Sequence, residues 1–218
     1  MRSRPNFDGI APYYDFLAQL VFGNQLEVAQ KHFIKKLNNP SSLLVFGGGT
    51  GRVLTPILEN HPDAHIYYVE SSTKMLSMAK ARYSPDSYSI DYIRSHADPI
   101  IATNLQYDVV ITPFVLDVFE PAQLLTVIEV LFESLQPGGL WIHTDFYTNN
   151  GGPWWRFLLI KVMYRFFRIT TGMKNLTLPD FDTIFNKMML EQLGTKSFCN
   201  QLVKTTIYQK YQEKEPSH

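Results

Sequence analysis

Residues 43–54 read LLVFGGGTGRVL, an apolar run that breaks into three glycines, a threonine and a fourth glycine before apolar residues resume. A strand, a glycine turn and a helix at the edge of an open sheet form a nucleotide site, because glycine permits positive φ and close approach to the backbone. The N-terminus of the following helix adds unpaired N–H groups. This stretch therefore predicts a nucleotide-binding turn.

The spacing around the turn narrows the class of nucleotide. In the dinucleotide fingerprint G-x-G-x-x-G, counting from Gly47 and Gly49 puts Arg52 at the third glycine, which disfavours a nicotinamide cofactor. The phosphate loop ending in G-K-[ST] is absent, which disfavours nucleoside triphosphates. Glu70 ends the stretch YYVE about twenty residues past the turn, where a carboxylate can accept both ribose hydroxyls. These features favour adenosine without a pyrophosphate, with a solvated loop carboxylate as the alternative for Glu70.

From about residue 42 to residue 145, short apolar runs alternate with amphipathic ones, which is typical of a parallel sheet with crossover helices. We predict an α/β fold with a Rossmann-like, doubly wound sheet in a single domain, residues 1–218. The sequence QPGG at 136–139 predicts a stop between a helix and the next strand. The predicted strands are 43–46, 65–69, 88–94, 108–112 and 140–145, the helices 73–82 and 123–135, and an antiparallel edge hairpin 197–202 with 205–211.

Two regions lie outside this core: an N-terminal helical cap at 6–37 and an insertion at 146–193 that contains GGPWWRFLLIKVMYRFFR. The spacing of apolar residues in the insertion predicts an amphipathic helix that packs on the sheet or, alternatively, forms a lid over a hydrophobic pocket. Its basic side is interpreted as a solvated face, with peripheral contact to an anionic membrane left open. On a helical wheel the basic side holds Lys161, Arg165 and Arg168, and the apolar stripe holds Trp155, Leu158, Leu159, Val162 and Phe166.

Composition excludes several classes of function. Twenty basic residues balance twenty acidic ones, so no global field favours nucleic acid or anionic lipid. No run approaches the roughly 20 apolar residues that span a bilayer, and the first twenty residues lack a signal-peptide core. The lone Cys199 cannot form an intramolecular disulfide, so we expect a cytoplasmic protein. The six histidines and one cysteine show no metal-ligand spacing, and no metal is predicted.

The motifs in this order resemble those of class I S-adenosylmethionine-dependent methyltransferases over about residues 40–145. They are FGGGTG, then Glu70, HAD at 96–98, YDVVITPFV at 107–115 and LQPGGLWIHTDF at 135–146. In addition, FDGIAPYYDFL at 7–17 is similar to the start of ubiquinone and menaquinone methyltransferases and their small-molecule relatives. The resemblance implies a seven-stranded sheet with a reversed last hairpin (195–212). It also implies S-adenosylmethionine as cofactor, S-adenosylhomocysteine as product, and an acceptor pocket built by the cap and the insertion.

The resemblance also implies the cofactor residues, position by position. Glycines of the turn would line the methionine portion, Glu70 the ribose, and 96–98 the adenine, with either His96 or Asp98 at the family's acidic position. Val45 departs from the family, many members of which carry an acidic residue there, so we expect weaker binding or a substitute such as Asp117. The full predicted set is Phe46, Gly47, Gly48, Gly49, Thr50, Gly51, Glu70, Ser71, Met75, His96, Ala97, Asp98, Pro113 and Tyr14.

Methyl transfer from a sulfonium is an in-line displacement, so positioning and exclusion of water can supply much of the catalysis. A base is needed only if the acceptor arrives protonated. The predicted catalytic residues are His143, Asp145 and Tyr147, because side chains two apart in a strand share a face and Asp145 could orient the imidazole. A histidine satisfied within the fold is the alternative.

The sequence thus predicts methyl transfer to a small, hydrophobic or aromatic acceptor, without nucleic acid as partner; the oligomeric state and the methylated atom are left open. One alternative is an aminopropyltransferase of the spermidine synthase type, although only Asp117 and Glu120 represent the acidic gate expected after strand four. The other is a cofactor-binding protein without activity, for which Val45 is the evidence.

Overall fold

A computed structural model describes residues 5–95, 105–147, 153–175 and 177–212. Its strands are β1 Ser42–Phe46, β2 His65–Glu70, β3 Ile90–Arg94, β4 Tyr107–Pro113, β5 Leu135–Phe146, β6 Leu190–Phe198 and β7 Val203–Lys210. Its helices are α1 Ala11–Phe22, α2 Gln25–Lys31, α3 Leu54–Asn60, α4 Thr73–Arg82, α5 Pro121–Glu133, α6 Trp154–Thr171 and α7 Phe181–Phe185. Two short 3-10 helices cover Ile34–Lys36 and Leu116–Val118.

The seven strands form one sheet in the order β3-β2-β1-β4-β5-β7-β6. The pairs among the first five strands are parallel, whereas β7 runs antiparallel to both β5 and β6. The predicted doubly wound α/β sheet with a reversed C-terminal hairpin is confirmed. The strand order reverses direction at β1, between β2 and β4, and ligands of open α/β sheets bind beyond the carboxyl ends of strands at such a switch point.

Helices cover both faces of the sheet, which is why β1 reads as a continuous apolar run rather than an alternating one. Leu44 and Phe46 of β1 point to the layer that contains α5 and α7. Leu43 and Val45 point to the layer formed with α3, α4 and the first 3-10 helix. Val45 is fully buried there, so the position that departs from the resembled family is a core position in this protein.

The C-terminal half corrects three sequence predictions. Strand β5 begins at Leu135, so the predicted stop at 136–139 lies inside the strand, at a register shift in which Gly138 has φ 79°. Strand β6 occupies Leu190–Phe198, not 197–202, and shortens the predicted insertion. The residues between β6 and β7 turn with positive φ at three successive positions, 199–201. Strand β6 was missed because this edge strand is mostly exposed and carries little apolar alternation.

The apolar stripe predicted for the insertion is not the face of the helix that packs on the protein. Helix α6 buries Ile160, Tyr164 and Thr171. The opposite side, with Leu158 and Val162, is more than half exposed. Helix α6 therefore contacts the rest of the protein with a third face, which the wheel had assigned neither to the apolar stripe nor to the basic side, while the basic side is exposed as predicted.

Candidate active site

The glycine turn leaves the carboxyl end of β1, and each glycine is required for a different reason. A Cβ atom at Gly47, where φ is 73°, would overlap the Val115 side chain, and one at Gly48 would overlap the Tyr68 ring. Gly49 has φ 65°, but a Cβ atom there would have no atom within 4 Å. Gly47 and Gly48 are therefore fixed by packing, whereas Gly49 faces open space that a ligand can enter.

Glu70, the last residue of β2, holds the turn from the neighbouring strand. Its Oε2 accepts from the Gly49 N–H at 3.0 Å, and its Oε1 accepts from the Ser72 N–H at 2.7 Å and the Ser71 hydroxyl at 3.3 Å. Burial raises the pKa of this carboxyl, and the backbone hydrogen bonds from Ser72 and Gly49 oppose the rise. The Tyr68 hydroxyl donates to Gly49 O at 2.9 Å, so both backbone polar groups of Gly49 are held.

These groups border a cavity of about 400 Å³ at the carboxyl ends of β1, β2 and β4, a size within the usual range for small-molecule sites. Most of the predicted cofactor residues lie along it: Phe46, Gly47, Gly48, Gly49, Thr50, Glu70, Ser71, Met75, Pro113 and Tyr14. Gly51 does not, because it packs on α4, where a Cβ atom would come within 3.0 Å of Ala79. His96, Ala97 and Asp98 lie outside the described residues, although Ser95 lines the cavity.

The N-terminal segment lies over the cavity and is attached to the turn and to the start of α4 by two aspartates that the sequence reasoning missed. Asp15 of α1 accepts from the Thr50 hydroxyl at 2.7 Å and forms ion pairs with Arg52 at 3.0 Å and Arg82 at 3.2 Å. Asp8 accepts from the Ser72 hydroxyl at 2.6 Å. The available signal was helical spacing, because Asp15 shares a face of α1 with the cavity residues at 14 and 18.

The part of the cavity beneath the cap is apolar. Phe7, Ala18 and Leu26 line it from the N-terminal segment, and Phe114 and Val118 line it from the loop after β4. The ring of Phe114 packs on Phe146 with centroids 5.2 Å apart, which fixes the wall from behind. The cavity therefore combines a polar region at the turn with an apolar region under α1.

The structure does not bring the predicted catalytic residues to this cavity. His143 is buried between Phe181 and Phe185, its Nδ1 lies 3.1 Å from the Thr112 hydroxyl, and burial lowers its pKa to about 3. Among the described residues its hydrogen-bond partner is Thr112 rather than Asp145. Tyr147 packs against the Lys204 ammonium, 4.3 Å from the ring centroid. His143 is the satisfied core histidine that the sequence left as the alternative.

Asp145 instead belongs to a buried pair of carboxyl groups. Its Oδ2 accepts from the Asp117 N–H at 3.3 Å and its Oδ1 from the Phe146 N–H at 2.8 Å. The Asp117 carboxylate accepts from the Tyr164 hydroxyl at 2.8 Å, which ties α6 to the core. Burial raises the pKa of Asp117 to about 6, and burial together with the Asp117 charge raises the pKa of Asp145 well above its usual range.

This pair makes stability depend on pH in a definite direction. A carboxyl whose folded pKa is raised holds its proton where the unfolded chain has released it, so stability falls as pH rises from near 4 through the folded pKa values. We expect Asp145→Asn, which mimics the protonated acid, to raise the free energy of unfolding at about pH 8 by roughly 1–3 kcal/mol and to flatten its pH dependence. Denaturant unfolding between about pH 5 and pH 8 measures both effects.

Asp63→Asn on the exposed loop before β2 is the matched control, because it removes a carboxylate without removing a buried charge. A loss of stability in Asp145→Asn that is equal at both ends of the pH range would contradict the assignment.

Few ionisable side chains of the described residues line the cavity: Tyr14, Asp15, Arg52 and Glu70. Burial, with the charges of Asp117 and Asp15, raises the pKa of Tyr14, so its phenol stays protonated and can donate a hydrogen bond. Within the described ranges, no group of three or more histidine, cysteine or acidic side chains could hold a metal ion. Among the described residues, the site therefore offers polar contacts and an apolar wall but no imidazole base.

Comparison with known proteins finds similarity to methyltransferases. Residues 43–139 match the sequence model of the family described as a methyltransferase domain. A curated relative, the demethylmenaquinone methyltransferase of Chlamydia caviae, is 31% identical over 77 residues, which is 35% of this chain and 34% of that protein. The match thus spans about a third of the relative's length.

Two solved structures share the fold at low sequence identity. An O-methyltransferase family protein from Burkholderia thailandensis is 14% identical with a TM-score of 0.72, over 94% of this chain and 59% of that chain. The N-methyltransferase NodS from Bradyrhizobium japonicum WM9, in complex with S-adenosylhomocysteine, is 14% identical with a TM-score of 0.62, over 83% and 84%.

Residues 43–139 therefore match the methyltransferase domain model, and the chain shares its fold with solved methyltransferases. The resemblance seen in the sequence motifs is confirmed.

Proposed function

We propose that this protein binds S-adenosylmethionine in the cavity and transfers its methyl group to a small apolar acceptor held beneath the N-terminal cap. The observation that carries the proposal is the joint placement of Gly49 and Glu70. The backbone of Gly49 is open to the cavity, and the Glu70 carboxylate lies at the end of the neighbouring strand, hydrogen-bonded to that same residue. This is the pairing that an adenosine ligand requires on an open α/β sheet.

The residues present fit the cofactor. Glu70 has lone pairs left for ribose hydroxyls after accepting from backbone N–H groups. The turn 47–50 would hold the methionine end, and Asp15, already beside Thr50, supplies the nearby carboxylate that the buried Val45 does not. When bound, the cofactor supplies an electrophilic methyl group. The contribution of the chain is to bind, to orient the acceptor and to exclude water.

The described residues of the cavity favour an acceptor that needs no imidazole base. His143 and Asp145 are enclosed elsewhere, and the Tyr14 phenol stays protonated. The apolar wall of Phe7, Leu26 and Phe114 suits a hydrophobic or aromatic body. The proposed acceptor is therefore an apolar molecule whose nucleophilic atom carries a free lone pair or negative charge at neutral pH, such as an aromatic amine, a thiolate, or an activated hydroxyl or carbon.

The aminopropyltransferase alternative requires Asp117 and Glu120 to form an acidic gate at the cavity. Asp117 is buried against Tyr164 and Asn175, and Glu120 pairs with Lys174 at 3.4 Å on the surface. Neither residue lines the cavity. The inactive-protein alternative loses its main evidence, since Val45 lies in the core layer rather than at the cavity.

Calorimetry with S-adenosylmethionine, S-adenosylhomocysteine and NAD tests the proposal. We expect the first two to bind with micromolar or tighter affinity and NAD to give no heat. The release of S-adenosylhomocysteine is then followed by mass spectrometry across hydrophobic amines, thiols and phenols, with a polyamine as control. Absence of binding by both sulfur compounds would overturn the proposal, and binding without turnover on any acceptor class would favour a cofactor-binding protein.

A further inference from the structure

Helices α1 and α6 lie side by side and expose apolar side chains outward. The two helices meet through the Phe167 ring, whose centroid is 6.3 Å from that of Tyr14, and through Phe22, which joins the cluster around Ile160. Their exposed side chains include Phe16, Leu20, Trp154, Leu158, Val162 and Ile169, each of which is at least half exposed. We call these six residues the cap surface. Trp154, Leu158 and Val162 recur at every fourth residue and so share one side of α6, and exposed apolar patches usually mark an interaction site.

The charge around the cap surface is segregated. No aspartate or glutamate occurs anywhere from residue 146 to residue 179, although the chain contains twenty acidic residues and has no net charge. Lys161, Arg165 and Arg168 lie along one flank of the exposed apolar side of α6, and all three are exposed. Within the described ranges, no carboxylate forms an ion pair with any of the three. The surface therefore combines an apolar band with unpaired positive charge.

We propose that the cap surface docks on an anionic lipid bilayer, with α6 lying in the plane of the interface. Helices of this kind place tryptophan and aliphatic side chains among the acyl chains while lysine and arginine contact the head groups. Trp154 and Trp155 at the start of α6 fit this interfacial role. No helix within the described ranges is long and apolar enough to cross a membrane, so the contact is peripheral.

A second copy of the chain fits this surface less well. A symmetric contact between two α6 helices would bring Lys161, Arg165 and Arg168 against the same residues of the other copy, and like charges repel. A negatively charged surface removes that repulsion. Exposure and charge alone favour this docking, which does not rest on the proposed methyl transfer.

Vesicle binding tests the inference. Co-sedimentation of the full chain is compared for phosphatidylcholine vesicles and for vesicles that also contain phosphatidylglycerol. We expect at least about tenfold stronger partitioning into the anionic vesicles, weakened by added salt. Tryptophan emission should shift to the blue on binding, because Trp154 is 74% exposed whereas Trp141 is fully buried in the free protein.

Variants of α6 and control variants elsewhere on the protein show whether vesicle binding depends on the cap surface. Leu158→Asn with Ile169→Asn, and separately Lys161→Glu with Arg165→Glu, should each reduce partitioning about tenfold or more. The controls are Leu125→Asn on α5, where Leu125 is 50% exposed against 51% for Leu158, and the exposed Lys187→Glu. Both controls should bind like the wild type.

The inference is overturned if anionic vesicles bind no better than neutral ones, or if the α6 variants partition like the wild type. It is also overturned if size-exclusion chromatography shows a dimer that the Leu158→Asn and Ile169→Asn variant disperses, because a second copy would then cover the surface. Calorimetry with S-adenosylhomocysteine on the same variants, expected to be unchanged, distinguishes failure of docking from failure of the proposed function.

Discussion

Replacing Glu70 by alanine is expected to weaken binding of S-adenosylhomocysteine by about 100-fold or more, because two hydrogen bonds to a buried carboxylate contribute roughly 3 kcal/mol together. Two effects contribute to the loss. The variant removes the acceptor proposed for the ribose hydroxyls, and it frees the Gly49 N–H that the carboxylate now holds at 3.0 Å. Calorimetry measures the loss directly.

A second ligand distinguishes loss of the ribose contact from release of the Gly49 N–H. A 2′-deoxy analogue of S-adenosylhomocysteine should bind the wild type more weakly than the parent compound, whereas Glu70→Ala should bind the two equally. The exposed Glu59→Ala on α3 is the control for removal of a carboxylate. If the variant still discriminated between the two ligands, Glu70 would be a support for the turn only, and the ribose would be held elsewhere.

The second large effect is expected from alanine substitutions in the glycine turn. At Gly49 the substitution should reduce ligand affinity, whereas at Gly47 it should reduce stability. Gly49→Ala adds a methyl group where no protein atom lies within 4 Å, so the fold should lose only the cost of positive φ, about 1 kcal/mol. The same methyl group would occupy space proposed for the cofactor, and we expect a loss of affinity of at least about tenfold. Thermal unfolding and calorimetry on one preparation give both quantities.

Gly47→Ala is the matched comparison. Its methyl group would overlap Val115, and its φ of 73° is equally unfavourable for alanine, so this variant should lose about 3 kcal/mol or more of stability before any ligand is added. If Gly49→Ala bound the ligand as tightly as the wild type, the open space beside Gly49 would not be the cofactor site. Equal destabilisation of both variants would contradict the packing argument.

The turn and its acidic partner could be predicted because both depend on local sequence. Gly47, Gly49 and Glu70 lie at the ends of adjacent strands, and the alternation of apolar runs fixes which ends meet. Asp15 could not be found in the same way. Asp15 contacts Thr50 and Arg82, which are 35 and 67 positions away in the sequence. Short-range sequence patterns do not indicate contacts over such separations.

The errors share a physical cause. Periodicity shows which side chains share a face but not which neighbour that face meets. His143 and Asp145 do lie on one side of β5, yet α7 covers the imidazole there with two phenylalanine rings. In α6, the wheel correctly separated two faces, but burial is decided by the partner, and the side holding Ile160 and Tyr164 packs inward.

The position of helix α1 between the cavity and the cap surface has a consequence for kinetics. Its inner side lines the cavity and its outer side carries part of the cap surface, so the two are separated by the width of one helix, about 10 Å. An acceptor dissolved in a docked bilayer would then lie within about one helix width of the cavity. Turnover on such an acceptor would then follow its mole fraction in the lipid phase, and dilution of the vesicles at constant composition would leave the rate per bound enzyme unchanged.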